Sequence, residues 1–196
     1  MSWLFFRRFL AKPFQVAYCC PSSPFLTRRV AKRMDFSRPL VIVELGPGEG
    51  CHSRHIARQM CSNSRLILFE LDKDFCRHLR RQFHNDPRVT ILNVDAMRMA
   101  EELERLGNPR CDYVISGIPF LVIEANTKMR MLESIRQGMA PGASFITYQI
   151  SLELKEYARQ FHLNHREYCL FNIPPINILE FLKPIDSSRV APTAST

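Results

Sequence analysis

Leu40-Val41-Ile42-Val43-Glu44-Leu45-Gly46-Pro47-Gly48-Glu49-Gly50 is a branched apolar run that closes on an acid and three spaced glycines. The first six residues are short, continuous and rich in Val and Ile, which is the pattern of a strand buried on both faces. The glycines end that strand, open a helix over 52–60, and let the backbone approach a ligand with no Cβ in the way. Their spacing is GxGxG. It differs from the GxGxxG of dinucleotide sites, and no Lys-Ser/Thr follows as a phosphate-cradling loop requires.

Outward from this run the chain alternates. Strands are expected at 65–71, 89–94, 111–116 and 143–151, with helices over 73–84, 97–106, 124–139 (stopped by Pro141-Gly142) and 152–161. The end departs from this rhythm: 166–173 and 177–183 flank Pro174-Pro175 and read as a terminal antiparallel hairpin. Repeated strand and helix make an α/β domain around a mainly parallel sheet, whose ligand sits outside the carboxyl ends of the strands. Upstream, Pro13, Pro21 and Pro24 break residues 13–24, and Ser22 or Ser23 can cap a helix from about Pro24 to Met34.

Chemistry-bearing residues stand where that rule places them. Glu70-Leu71 closes the second strand twenty residues after Gly50, where a carboxylate can accept both hydroxyls of a ribose. Asp95-Ala96 closes the third strand, and Ser116-Gly117-Ile118-Pro119-Phe120 follows the fourth. Each has a purely structural reading, the glycines as a tight turn and the two acids as helix caps. Four such sites at four successive strand ends rarely coincide by chance.

The chain has 196 residues with 46% apolar and 23% charged, the composition of a folded domain, and no apolar run reaches the roughly 20 residues that cross a bilayer. Its net charge of +8 is uneven: residues 1–38 hold eight Lys or Arg and one acid, Asp35, while 39–196 are nearly neutral. That asymmetry points to a nucleic acid or an anionic membrane surface. On a helical wheel over 2–12, Trp3, Phe5, Phe6, Phe9 and Leu10 share one arc opposite Ser2, Arg7, Arg8 and Lys12, with Leu4 the misfit. Such a helix suits a membrane interface and also suits docking on its own domain; three Phe and a Trp in eight residues exceed what docking requires. Arg7 and Arg8 interrupt the apolar stretch too early for a secretory signal. The seven cysteines form no CxxC pair and no Cys/His cluster, so free thiols in a reducing compartment and no metal are expected.

On the residues from Glu44 to Gly50, Glu70, Asp95 and Ser116 to Phe120, the sequence resembles the class I S-adenosylmethionine-dependent methyltransferases, over 40–183. The resemblance implies a single Rossmann-like α/β domain with a mainly parallel seven-stranded sheet and a terminal antiparallel hairpin. It implies that Gly46, Gly48 and Gly50 hold the methionine part of S-adenosylmethionine, Glu70 with Leu71 the ribose, and Asp95 and Ala96 the adenine. Glu44 would contact the amino group, and Ser116 and Gly117 complete the set; S-adenosylhomocysteine would be the product. Adenine-N6 methyltransferases carry Asn or Asp, then two residues and an aromatic, as in N-L-P-Y, and Ser116 departs from that pattern. The ribosomal RNA adenine dimethyltransferases also carry a C-terminal helical RNA-binding domain, for which this chain leaves no room. Instead ISGIPF, Tyr148-Gln149, Asn172-x-Pro174-Pro175 and Pro21-Ser22-Ser23 resemble the small bacterial phospholipid N-methyltransferases, which act on phosphatidylethanolamine and whose relatives methylate ornithine lipids.

The expected substrate is therefore a lipid amine. Such an amine must lose its proton before an in-line displacement, and its methylated cation suits aromatic faces. Tyr18, Phe120 and Tyr148 are the aromatics expected at the substrate pocket, each with core packing as the alternative. Of six histidines only His52 lies near the glycine loop, where a helix surface is its expected place. The expected organisation is a basic amphipathic segment over 1–38 acting as membrane or substrate lid, a methyltransferase domain over 39–185 and a flexible tail over 186–196. A monomer, cytoplasmic and peripherally bound to an anionic membrane through residues 2–12, is the expected state, with phosphatidylcholine formation as its role. An RNA adenine or other nucleic-acid methyltransferase and an inactive cofactor-binding partner subunit are the alternatives.

Overall fold

The computed structural model describes residues 22–108 and 110–185. The expected helix over 2–12, Tyr18 and the tail from 186 lie outside these residues.

The order of elements is α1 (Pro24–Ala31), β1 (Val41–Leu45), α2 (Cys51–Ala57), β2 (Arg65–Phe69), α3 (Lys73–Gln82), β3 (Val89–Leu92), a 3-10 turn (Ala96–Arg98), α4 (Met99–Arg105), β4 (Cys111–Ser116), a second 3-10 turn (Phe120–Val122), α5 (Ala125–Gly138), β5 (Met139–Gln149), α6 (Leu154–Tyr157), β6 (His162–Cys169) and β7 (Ile176–Leu182). They form one seven-stranded sheet in the order β3-β2-β1-β4-β5-β7-β6. The first five of these strands run parallel, and β7 is antiparallel to both β5 and β6. The chirality of parallel strands joined through helices places layers on both faces. Leu26, Val30, Ile56 and Leu79 from α1, α2 and α3 pack with Ile42, Leu68 and Ile115 on one face. Met99, Leu103, Leu132 and Ile135 from α4 and α5 pack with Val43, Leu45, Phe69 and Val114 on the other.

Register levels the strand ends. Leu45 stands opposite both Phe69 and Ser116, Phe69 opposite Leu92, and Ser116 opposite Thr147. The loops after β1, β2, β3, β4 and β5 therefore open along a common rim, at the switch between β1 and β4 where the strand order reverses. Because β6 and β5 both pair antiparallel with β7, the β6–β7 turn lies at that same rim.

Three boundaries differ from the sequence expectation. The helix expected over 152–161 shrinks to Leu154–Tyr157, because β6 begins at His162 and not at 166. As an edge strand β6 alternates exposed and half-buried residues, and the apolar Leu170, Phe171 and Ile173 that suggested a strand belong to the turn. Pro141-Gly142 does not terminate α5, which stops at Gly138, packed on Met99 and Leu103; the two residues lie within an irregular start of β5. Among the described residues no helix is long and apolar enough to cross a membrane.

Candidate cofactor and acceptor site

The glycine loop is built by backbone conformation. Gly46, Gly48 and Gly50 have φ of 71°, 54° and 73°, a region that side-chain-bearing residues enter at a cost. The three are not equivalent. A Cβ at Gly46 would meet Ile118 at 3.0 Å and one at Gly50 would meet Leu79 at 2.7 Å, whereas at Gly48 nothing lies within 4 Å. Gly46 and Gly50 thus serve close packing, and Gly48 faces the open side of the rim.

Two carboxylates flank this loop. Glu70 accepts from the Gly48 N–H at 3.0 Å through Oε2 and from the Asp72 N–H at 2.9 Å through Oε1, so it fixes the loop while each oxygen keeps a lone pair for a diol. Burial nonetheless outweighs these bonds and raises its pKa. Glu44 lies beneath the loop on the α2 side of the sheet. It accepts from the Ser53 hydroxyl at 2.5 Å through Oε2, while Oε1 is buried with no partner among the described residues. Desolvation pushes its pKa up to about 7, opposed by the Ser53 hydrogen bond. A buried carboxylate oxygen without a donor is where an ammonium group would be held.

The remaining strand ends are tied together by side chains, among them Asn93, which the sequence did not single out, and Gln149, which it marked only as part of a motif. Asn93 donates to the carbonyls of Glu70 and Leu71, both at 2.9 Å, and binds the end of β2 to the turn after β3. Asp95 caps the turn that starts at buried Ala96, accepting from the Met97 N–H at 2.9 Å. The Ser116 hydroxyl is turned inward and accepts from the Ile118 N–H at 3.2 Å. Gln149 locks the 116–120 loop from β5: it donates to the Ile118 carbonyl and to the Thr147 hydroxyl, each at 2.8 Å, and accepts from the Phe120 N–H. No side-chain periodicity announces the contacts of Gln149 with Ile118 and Phe120, which lie 31 and 29 positions away.

Phe120 is not at the rim. Held by Gln149, the turn sends its ring into the core, where it is 1% exposed and meets Phe145 edge-on at 6.3 Å. Tyr148 lies on the opposite face of the sheet, half-buried, its ring stacked on His52 at 4.6 Å and its hydroxyl bonded to Ser22. His52 is thus buried against Tyr148 and does not lie on the helix surface. Desolvation pushes its pKa down to about 3, which keeps the imidazole neutral, and neither ring nitrogen has a partner among the described residues. Burial likewise raises the Tyr148 phenol far above its ordinary value, which rules out the phenolate as a proton acceptor. The phenol also abuts Gly117: a Cβ there would collide with the hydroxyl and lie 2.7 Å from Cζ. Among the described residues no three His, Cys, Asp or Glu side chains gather as metal ligands.

These residues fit S-adenosylmethionine, with an orphaned acid for the amino group, an open glycine for the methionine backbone and Glu70 at the ribose position. The family model for ribosomal RNA adenine dimethylase matches residues 22–157. An ornithine lipid N-methyltransferase of Singulisphaera acidiphila is 29% identical over 143 residues, 73% of this chain and 74% of that protein. A ribosomal RNA small subunit methyltransferase A of Thermosynechococcus vestitus is 34% identical over 79 residues, which is 40% of this chain and 26% of that protein. Among solved structures, the N-methyltransferase NodS from Bradyrhizobium japonicum WM9 in complex with S-adenosyl-L-homocysteine aligns over 93% of this chain and 98% of its own, at TM-score 0.70 and 11% identity. TrmN from Thermus thermophilus aligns over 81% of this chain at TM-score 0.67 and 17% identity, and this chain spans about half of its length (48%). At such identities the shared property is the fold.

Proposed function

Since the chain belongs to the ribosomal RNA adenine dimethylase family of S-adenosylmethionine-dependent methyltransferases, we propose that it directs this chemistry to the amine of a membrane lipid head group: phosphatidylethanolamine with its mono- and dimethyl forms, or ornithine lipid. The observation that carries the proposal is the contact between Gly117 and Tyr148. Aligned on Pro119-Phe120, it is Gly117 and not Ser116 that stands where N-L-P-Y has its Asn. Glycine offers no amide to an adenine amine, and the Tyr148 hydroxyl fills the space an Asn side chain would need. The likeness to the ornithine lipid enzyme also spans most of both chains, while that to the ribosomal RNA enzyme spans a quarter of the latter.

S-adenosylmethionine, when bound, supplies an activated methyl group. What the protein adds is placement: Glu44 would hold the amino group of the cofactor and Glu70 its ribose, and Gln149 holds the 116–120 backbone level with them. Positioning of this kind supplies much of the acceleration of a displacement. Tyr148 sets its phenol hydroxyl against Gly117 at the acceptor side. Residues 2–12 would lie on an anionic membrane with Phe5, Phe6 and Phe9 buried and Arg7, Arg8 and Lys12 on the head groups.

The test is transfer of a labelled methyl group from S-adenosylmethionine into a bacterial lipid extract, with ornithine lipid and phosphatidylethanolamine assayed separately and undermethylated small ribosomal subunits in parallel. Label in the lipid phase is expected. Label confined to RNA would replace the proposal with the nucleic-acid alternative, and absence of transfer to either would favour an inactive partner subunit. Deleting residues 2–12 should release the protein from anionic vesicles and leave cofactor affinity intact.

A further inference from the structure

The exposed apolar residues of the domain are concentrated where a water-facing surface would not place them. Ser23 donates its backbone N–H to Asn172 Oδ1 at 3.1 Å, and the Phe25 and Phe171 rings meet at 5.3 Å, so the start of α1 is clasped to the β6–β7 turn. Around that clasp Phe25 is 52% exposed, Leu170 64%, Phe171 65% and Ile173 84%. This is the rim onto which the cofactor and acceptor site opens. Phe25 also begins a groove of about 440 Å³ that runs along α1 and is lined further by Arg28, Arg29, Lys32, Arg33 and Glu167. Arg29 pairs with Glu167, which leaves the groove strongly positive. Large apolar side chains and a basic groove thus form one continuous surface that shares Phe25.

We propose that this rim is itself a membrane-docking face, independent of residues 2–12. Phe25, Leu170, Phe171 and Ile173 enter the boundary between head groups and acyl chains of an anionic bilayer, and Arg28, Lys32 and Arg33 take lipid phosphates. The occupant is a bilayer on two grounds. Leu170 and Ile173 have no π face for a nucleobase, so an RNA groove would gain nothing from exposing them. Aliphatic and aromatic groups beside bases are, by contrast, the composition of interfacial binding. Such docking would bring a head-group amine to the mouth of the site without the lipid leaving its leaflet. The choice of bilayer rests on the lipid-amine proposal, whereas the docking can be measured without it.

The experiment uses the full chain and two paired substitutions at exposed positions outside the cofactor site, Phe171→Ser with Ile173→Ser and Arg28→Ser with Lys32→Ser. Binding is measured by flotation with vesicles of phosphatidylcholine, with and without phosphatidylglycerol. Methyl transfer is measured in parallel to a lipid amine dispersed in detergent micelles. The apolar pair should weaken vesicle binding at all salt concentrations by about tenfold per side chain. The basic pair should weaken it about fivefold per charge at physiological salt, only on vesicles with phosphatidylglycerol, and with little effect in high salt. Thermal midpoints and transfer in micelles should match the unsubstituted protein. Vesicle binding unchanged in the apolar pair would overturn the proposal. Loss of RNA binding with unchanged vesicle binding in the basic pair would overturn it in favour of a nucleic-acid surface. If no lipid amine is methylated while both pairs lose vesicle binding, the docking face stands and the substrate proposal falls.

Discussion

Glu44→Gln isolates the energetic cost built into the cofactor site. In the unfolded chain a Glu titrates near 4.5, and burial beneath the glycine loop pushes Glu44 up to about 7. The folded state therefore holds this proton more tightly. The stability it confers is fully present below pH 4.5 and is lost as pH rises through 7, beyond which the loss is constant. A separation of 2.5 units corresponds to about 3 kcal/mol. Gln keeps the acceptor for the Ser53 hydroxyl and resembles the protonated acid, so the variant should lack this pH dependence. The quantity to measure is the change in thermal midpoint between pH 5 and pH 8 without cofactor, compared in the two proteins. For a domain of this size about 3 kcal/mol is roughly 6–12 °C, so the variant should gain that much on the unsubstituted protein at the higher pH. The same substitution should weaken S-adenosylhomocysteine binding, because an ionised Glu44 faces the ammonium of the ligand. In the unsubstituted protein affinity should rise with pH up to about 7 and then level. Calorimetry in two buffers of different ionisation enthalpy should show up to about one proton released on binding at pH 6 and almost none at pH 8. Parallel pH profiles of stability in the two proteins would refute the burial argument. Equal affinities would remove Glu44 from the cofactor site.

Three further outcomes follow from the geometry. Glu70→Ala should weaken S-adenosylhomocysteine by tenfold or more in calorimetry, since charge-assisted hydrogen bonds contribute about 1.5–3 kcal/mol each and the Gly48 N–H also loses its acceptor. Gly48→Ala and Gly50→Ala share the strain of a positive φ, about 1 kcal/mol, but should divide otherwise: Gly50→Ala collides with Leu79 and lowers the thermal midpoint, while Gly48→Ala projects into the open rim and costs mainly cofactor affinity. Gln149→Leu leaves the Ile118 carbonyl and the Phe120 N–H without partners, and it should cost about 1–3 kcal/mol in denaturant unfolding and lower kcat more than cofactor affinity.

The parallel half of the fold was legible because its signals are local. A buried parallel strand has to be an apolar run, and a sharp turn into a helix has to be glycine, so β1, β2, β4 and the positive-φ loop can be read from neighbours along the chain. Glu70, Asp95 and Ser116 could be placed at strand ends on the same grounds. The sequence misled where hydrophobicity serves a surface: Leu170, Phe171 and Ile173 look like strand residues and are turn residues. Long-range side-chain geometry was beyond it. Nothing in the spacing indicates that Phe120 turns into the core, that His52 leaves the helix surface to stack on Tyr148, or that Gly117 is glycine because the phenol of Tyr148, thirty-one residues later, packs against it. Asn93 acts through backbone carbonyls on a neighbouring loop, and polar residues at strand ends are too common for it to be singled out; Gln149 stands out as half of the Tyr148-Gln149 pair, but its hold on the 116–120 loop does not.

The place of β7 has a consequence for the order in which this protein can be made. The last strand of the sheet in chain order occupies an interior position, inserted between β5 and β6, which precede it in synthesis. While Ile176–Leu182 is still within the ribosome, the emerged sheet has an open edge at β5, and β6 has no partner at all. Ile178, Leu179 and Phe181, which end fully buried, leave it only after β5 and β6 have emerged. Pairing of β5 with β6 in that interval would be a trap that β7 must later undo, and unpaired strand edges invite association between chains. Closure of the sheet is therefore an event that follows translation of the whole domain, and a nascent chain stalled before residue 176 would carry its glycine loop complete but its sheet unfinished.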